Sequence, residues 1–369
     1  MMLLSLCVAV VFIHLVYYLI IFNFFNFTKP QALDKNNIPV SVIVCAKNEA
    51  ENLKKNLPFI IEQKYFCFEL VLIDDRSHDK TTDLFKTLES KHDFIKVITV
   101  KESEHFRGNK KYALTLGIKA ASHDCLLFTD ADCVPKSEYW IQEMANAFTG
   151  QTKIVLGYGS YKTIPNSFLN KVIRYETLMT ALQYFSFAKI GTPYMGVGRN
   201  LMYSKEVFLK NKGFNKHIKI MSGDDDLLIN QISTKQNTKL SFDEQTHTIS
   251  EPKTNLSSWL VQKKRHISTA DLYQTKHKFL LGLYAFNRTV FLFLIPFGIA
   301  YIEGYKNQLL FYGCVFVKFL SEYIVVGLAA KKLKEKKFIL LIPLLDVCLL
   351  FFQLYILVES KINKTQKWS

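Results

Sequence analysis

From Met1 to Phe25 the chain reads MMLLSLCVAVVFIHLVYYLIIFNFF, without one charged side chain. About 20 apolar residues suffice for a helix to cross a bilayer, where every backbone polar group must be satisfied internally. No basic n-region and no small-x-small cleavage site accompany the stretch, so it reads as an uncleaved anchor and not a signal peptide. His14, near its centre, is expected as a neutral imidazole bonded within a helix bundle. Three more apolar stretches lie near 279–302, 308–329 and 338–358. Asn287 and Arg288 interrupt the first of these and Pro296 bends it, so a tilted or partly re-entrant helix is expected there. The basic run KKLKEKK, Lys331 to Lys337, separates the other two and belongs on the cytoplasmic side. Counting back through two crossings places the region before residue 278 in the cytoplasm, and Lys29 and Lys35 agree. The tail KINKTQKWS is then external and basic, against the same rule, which leaves two or three C-terminal crossings.

Between residues 38 and 252 the pattern changes to β-branched runs alternating with amphipathic stretches. Strands are expected at 39–46, 68–74, 95–100 and 124–130. Helices are expected at 49–63, 81–90, 109–120 and 136–148. Alternation of this kind implies βαβ units and an α/β fold with a mainly parallel sheet. The expected organisation is an anchor (1–26), an α/β catalytic domain (38–252), an amphipathic interfacial segment (253–277) and a membrane region (278–360). The chain carries 47 Lys+Arg against 32 Asp+Glu, a formal +15, which suits an anionic partner. Its basic residues are dispersed, which disfavours nucleic acid and leaves membrane lipid or a phosphorylated small molecule. The seven cysteines are odd in number and lack CxxC spacing, so they read as reduced thiols.

Ligands of parallel sheets bind beyond the carboxyl ends of the strands. The first strand ends in Ala46-Lys47-Asn48-Glu49, the second in Asp74-Asp75-Arg76-Ser77, the fourth in Asp130-Ala131-Asp132. One acidic strand end is an ordinary turn; three on one edge point to a shared ligand. Asp130 and Asp132 point the same way on an extended chain, roughly 7 Å apart. Such a carboxylate pair suits Mg²⁺ or Mn²⁺, which take oxygen ligands and substrate phosphates.

The motifs KNEAENL, LIDDRSHDKT, NKKYALTLG, FTDADC, SGDDDLL and QKKRH stand in the order and at roughly the spacing of the family-2 glycosyltransferases with a GT-A fold. The resemblance covers about 39–270, and the apolar segments resemble integral-membrane members such as the cellulose, hyaluronan and ceramide-glucose enzymes. It implies an inverting transfer from a nucleotide-diphosphate sugar, UDP-linked, to a lipid or glycan acceptor. Ala46, Asn48, Glu49, Asp74 and Asp75 would then line the nucleoside pocket, and Lys110 would sit near the nucleotide. Asp130 and Asp132 would hold the metal and diphosphate, and Asp224, with Asp225 as a fallback, would be the general base. Arg265 would contact the departing diphosphate, with Gln262 beside it. GVGRN (196–200) is either a plain turn or a loop admitting the donor sugar, with Gly198 and Arg199 as contacts.

Bland alternatives stand beside these. Asp224 to Asp226 suit a cap on the helix LLINQIS. Lys263 and Lys264 suit lipid headgroups. The aromatic stretch Phe168–Phe187 suits core or membrane contact. Two positions depart from the family pattern: His266 replaces the tryptophan of QxxRW, and Gly223 replaces a glutamate before the base. The first favours single transfer over a processive polysaccharide synthase. A membrane nucleotidyl- or phosphotransferase, or a basic membrane scaffold, are the rival functions.

Overall fold

The computed structural model describes residues 1–29, 35–101 and 110–362. Residue 109, which opens NKKYALTLG, and the end of the basic tail, 363–369, lie outside them. The chain enters through α1 (Met2–Leu15), a π-helical stretch at Val16–Phe22, and α2 (Asn23–Phe27). Then β1 (Val40–Ala46), α3 (Ala50–Ile61), β2 (Phe68–Asp74), α4 (Thr81–Glu89) and β3 (Ile95–Thr99) follow. Next come α5 (Lys110–Ala120), β4 (Cys125–Asp130), β5 (Cys133–Pro135) and α6 (Trp140–Asn146). The unit continues with β6 (Ile154–Leu156), β7 (Gly159–Tyr161), α7 (Phe168–Lys189), β8 (Leu201–Ser204) and α8 (Lys205–Lys210). It ends with α9 (Asp226–Ile232), β9 (Thr238–Leu240) and β10 (Thr248–Ser250).

The main sheet runs β3-β2-β1-β4-β8-β6-β9. Strands β1 to β4 are parallel, and β8 runs antiparallel between β4 and β6. A smaller sheet, β5-β10-β7, stands beside it. The continuous apolar runs reflect burial on both faces. Val40, Val42 and Val44 pack with Leu53, Leu57 and Ile60 of α3, while Ile43, Val71 and Ile73 pack with Ala113 and Ile118 of α5. Gly117 lets α5 lie this close, since a Cβ there would fall 2.2 Å from Ile73 Cδ1. Strand order reverses between β1 and β4, so the ligand crevice of such a fold opens above Ala46 and Asp130.

Among the described residues, four helical segments are long and apolar enough to cross a membrane: Met2–Asn26, Thr275–Tyr301, Tyr305–Lys332 and Lys336–Glu359. These make the chain an integral membrane protein. The last three are α11 (Thr275–Tyr301), α12 (Tyr305–Lys332) and the segment containing α13 (Ile342–Ile362), preceded by α10 (Leu256–Ile267). Instead of a re-entrant piece, α11 is one continuous helix of 27 residues, about 40 Å long. Arg288 is tolerated inside it because its guanidinium pairs with buried Asp346 of α13 and lies 5.4 Å from the Tyr284 ring centroid. Lys318 of α12 pairs with Glu322 at 2.5 Å and reaches Asp346 at 3.7 Å. His14 meets Ser321 at 3.2 Å, the bundle contact expected of it. The aromatic helix α7 is the seam between bundle and sheet: Tyr175 donates to Asp346 (3.3 Å), and Arg174 pairs with Glu335. All seven cysteines are free.

Removing one partner of a buried ion pair strands the other charge, at a cost of about 3–5 kcal/mol. Arg288→Leu should therefore lower the thermal midpoint of the detergent-purified protein sharply, and Arg288→Leu/Asp346→Leu should recover part of the loss.

Candidate active site

The turns leaving β1 and β2 are stitched together. Asn48 adopts the left-handed region (φ 56°) and so does Arg76 (φ 59°), a local strain that persists where surroundings fix the backbone. The Asn48 N–H donates to Ser77 Oγ (3.0 Å), and its Oδ1 accepts from the His78 N–H (2.7 Å). The Glu49 N–H donates to Thr81 Oγ1 (3.1 Å), while its carboxylate accepts from Asn52 (2.6 Å). Ala46 is buried and paired with Asp74 across the strands. Asp74 is itself buried: one oxygen accepts from the Ser77 N–H (3.0 Å) and the other from Thr82 Oγ1 (2.5 Å). Its carboxylate serves the turn. Asp75 is held by its neighbour, with Arg76 Nε donating to its Oδ1 at 2.9 Å.

Above β4 the acidic groups converge. Asp130 aligns with Cys45 of β1 at the strand end. Lys110, in the first turn of α5, places its ammonium 3.0 Å from Asp130 Oδ1 and 3.1 Å from Asp224 Oδ2. These three groups, with Thr129, Gly198 and Asp225, line one small pocket. Burial works against the Lys110 charge, but the two carboxylates more than offset it and hold the ammonium well above the usual lysine range. Burial would raise Asp224, yet Lys110 outweighs it and keeps that carboxyl below the ordinary value. Asp225 goes the other way: burial, then the Asp224 and Asp226 charges, push it up to about 7. Its Oδ2 accepts from the Gly198 N–H (2.7 Å), and its Oδ1 caps α9 through the Asp226 N–H (2.7 Å). The capping role expected of this run is thus filled by Asp225.

Asp130, Asp132 and Cys133 bring potential ligand atoms within 4.8 Å of one another. Burial, then the Asp130 charge, raise the Asp132 carboxyl. Burial and Asp132 also keep the Cys133 thiol protonated, and its sulfur lies 3.0 Å from Ser250 Oγ. The two carboxylates offer oxygen donors that fit a hard divalent cation; the thiol does not.

Arg199 does not point into open space. Its guanidinium lies 4.2 Å from the Tyr161 ring centroid and donates to Ser160 O and Ser250 Oγ, both at 3.2 Å. Gln262 of α10 approaches the Tyr161 hydroxyl at 3.4 Å, which brings the QKKRH helix to the edge of this group. Arg265 is exposed on α10. Lys263 and Lys264, expected to suit lipid headgroups, pair with Glu176 of α7 and Glu359 of α13. Two contributors were hidden in the sequence. Lys111 is fully buried and donates to the carbonyls of His217 (2.7 Å) and Ile220 (3.0 Å), holding the loop before Gly223. Asn200 pins the 197–200 turn through Tyr158 O and Thr246 O. A second lysine in NKK looks like surface charge, and no local signal marks it otherwise.

A mainly parallel sheet carrying carboxylates at its switch point is the architecture of a GT-A fold. Residues 41–211 match the model of "Glycosyl transferase family 2". Glycosyltransferase AglE of Haloferax volcanii is 28% identical over 129 residues, 34% of this chain and 41% of that protein. The poly-beta-1,6-N-acetyl-D-glucosamine synthase of Staphylococcus aureus is 29% identical over 128 residues, 32% of this chain and 30% of the synthase. The match therefore spans less than half the length of these relatives. Among solved structures, the mannosyltransferase PcManGT from Pyrobaculum calidifontis, in complex with GDP-Man and Mn²⁺, superposes with a TM-score of 0.57. It is 18% identical, and the similarity covers 91% of this chain and 99% of that one, which shows the shared fold.

The Asp225 carboxyl gives a pH signature. With a folded value of about 7 against an ordinary 3.8, its contribution to stability is complete below the ordinary value and is lost as pH rises through about 7. Asp225→Asn removes this proton, so its thermal midpoint relative to the parent protein should rise between pH 4 and pH 8, as unfolding scans in detergent would read.

Proposed function

We propose that the protein is a membrane-bound, metal-dependent, inverting glycosyltransferase that moves a hexose or N-acetylhexosamine from a nucleotide-diphosphate sugar to an acceptor hydroxyl. The observation that carries this reading is the Lys110 ammonium, held between Asp130 and Asp224 in one pocket. Asp130 and Asp132 would hold Mg²⁺ or Mn²⁺, which when bound supplies charge neutralisation for the diphosphate. The fold neighbour PcManGT is described with GDP-Man and Mn²⁺, which supports a donor and a metal of these classes.

The chain's own groups then divide the work. The acceptor oxygen bonds to the anomeric carbon as the bond from that carbon to the diphosphate oxygen breaks, and the hydroxyl proton passes to a carboxylate. Asp224 has little basicity while Lys110 faces it. A donor diphosphate competes for the same ammonium, so Asp224 regains proton affinity as Lys110 turns to the leaving group. Asp225 stands next to it with its oxygens committed to backbone N–H groups, which suits holding the turn. Arg265 and Gln262 on α10 border the diphosphate, Asn48, Glu49 and Asp75 the nucleoside, and Gly198 and Arg199 the sugar.

The α/β unit (38–252) faces the cytoplasm in this reading, since Lys331 to Lys337 lie on the side of the bundle that α7 touches. The bundle interior is filled by paired charges, Arg288 with Asp346 and Lys318 with Glu322, and by Tyr18 and Tyr284. That packing favours a lipid or lipid-linked acceptor at the membrane surface over a glycan threaded through these helices.

Membranes containing the protein, incubated with radiolabelled UDP- and GDP-sugars, should transfer label from one donor into a lipid-extractable product. Chelation by EDTA, Asp130→Ala/Asp132→Ala, and Asp224→Asn should each abolish or cut transfer by about 100-fold or more. Undiminished transfer by Asp224→Asn, or transfer from no donor, would overturn the mechanism.

A further inference from the structure

The third aspartate of the run, Asp226, is the first residue of α9 and does not face the pocket. Its carboxylate is buried, and Oδ1 accepts from the Leu227 N–H at 2.7 Å. Oδ2 accepts from the hydroxyls of Thr269 and Tyr273 (2.7 Å to Tyr273), 43 and 47 residues further along the chain. Both hydroxyls come from the short strap between the end of α10 and the start of the membrane helix α11.

One helical turn on, Asn230 repeats the connection. Its Oδ1 accepts from the Gln274 N–H (2.9 Å), its carbonyl accepts from Gln274 Nε2 (2.5 Å), and its Nδ2 meets His277 Nδ1 at 3.0 Å. Residues four apart lie on one face of a helix. A plain helix cap needs only the local N–H; here a whole face of α9 is bonded to the strap. At the other face of the same turn, Asp225 is bonded to Gly198 and Asp224 to Lys110.

We propose that Asp226 is a positioning residue: with Thr269 and Tyr273 it fixes the aspartate turn to the strap entering α11, so that the orientation of Asp224 and Asp225 is set from the membrane side. The inference rests on the assignment of Asp224 as base for its catalytic consequence, and on the strap geometry alone for its structural one. Buried carboxylates are stable only when their oxygens are bonded, so removal of the two hydroxyls frees the turn to move. Misplacement of a reacting group by about 1 Å costs a rate factor near 100.

The test uses the full chain in lipid nanodiscs. Thr269→Val/Tyr273→Phe should lower kcat by about 10- to 100-fold while the donor KM stays within about twofold. The elution profile should be unchanged, and amide hydrogen exchange should speed up across 224–228. Thr269→Ser, which keeps the hydroxyl, should rescue the single Thr269→Val defect. In an Asp226→Asn background the two hydroxyl deletions should add little, because the groups act as one unit.

An unchanged kcat in the double variant overturns the proposal. So does a loss that follows donor KM or folded fraction, or full additivity in the Asp226→Asn background. If the parent protein transfers no sugar, the glycosyltransferase reading fails by itself. Hydrogen exchange still decides the strap, since unchanged protection across 224–228 in the double variant rules it out.

Discussion

The ammonium of Lys110 is the contact on which the arrangement of this site depends. Parallel strands deliver Asp130 to the end of β4, and a distant turn delivers Asp224 and Asp225 to the same place. Like charges so placed repel and lose hydration, and without a cation between them the turn would open. Lys110 supplies that cation from α5, whose close seat on β2 requires Gly117. The next residue, Lys111, reaches the other way and holds the loop that leads into the aspartates. Two consecutive lysines thus set both the charge balance and the position of the acidic turn.

The same solution, a buried charge answered by a partner from elsewhere in the chain, joins the sheet to the membrane helices. Arg288, Asp346, Lys318 and Glu322 pair inside the bundle, and Tyr175 and Arg174 of α7 extend the network into the α/β unit. Buried pairs of this kind add little net stability over apolar packing, but unpaired members are costly, so they discriminate strongly between alternative helix registers. Helix α7 consequently lies in one place against α12 and α13. The strap between α10 and α11 is fixed to α9 at the opposite side of the site.

Much of the fold was legible along the chain. The runs that predict β1 to β4 are the strands observed; for β1, β2 and β4 this is because residues buried on both faces of a sheet must be apolar whatever surrounds them. The aspartates at 130 and 132 and the run at 224–226 stood out for the same reason: charge directly after a buried strand, or beside a helix start, is locally anomalous. Asp74 looked equally anomalous and proved to be consumed by its own turn, since the hydroxyl of Thr82 that satisfies it carries no marker in the sequence. Lys263 and Lys264 suggested lipid headgroups, but Glu176 and Glu359 lie within reach only once α7 and α13 are in place.

The sequence by itself determined which segments enter the membrane, which form the parallel sheet, and which acidic strand ends face one edge. These follow from solvation and backbone geometry, which act on neighbouring residues. The tertiary structure alone decided which charge answers which: Lys110 between Asp130 and Asp224, Arg288 against Asp346, Tyr273 on Asp226. Electrostatic pairing depends on distance in space, and residues 20 to 114 positions apart in the chain become neighbours only through packing.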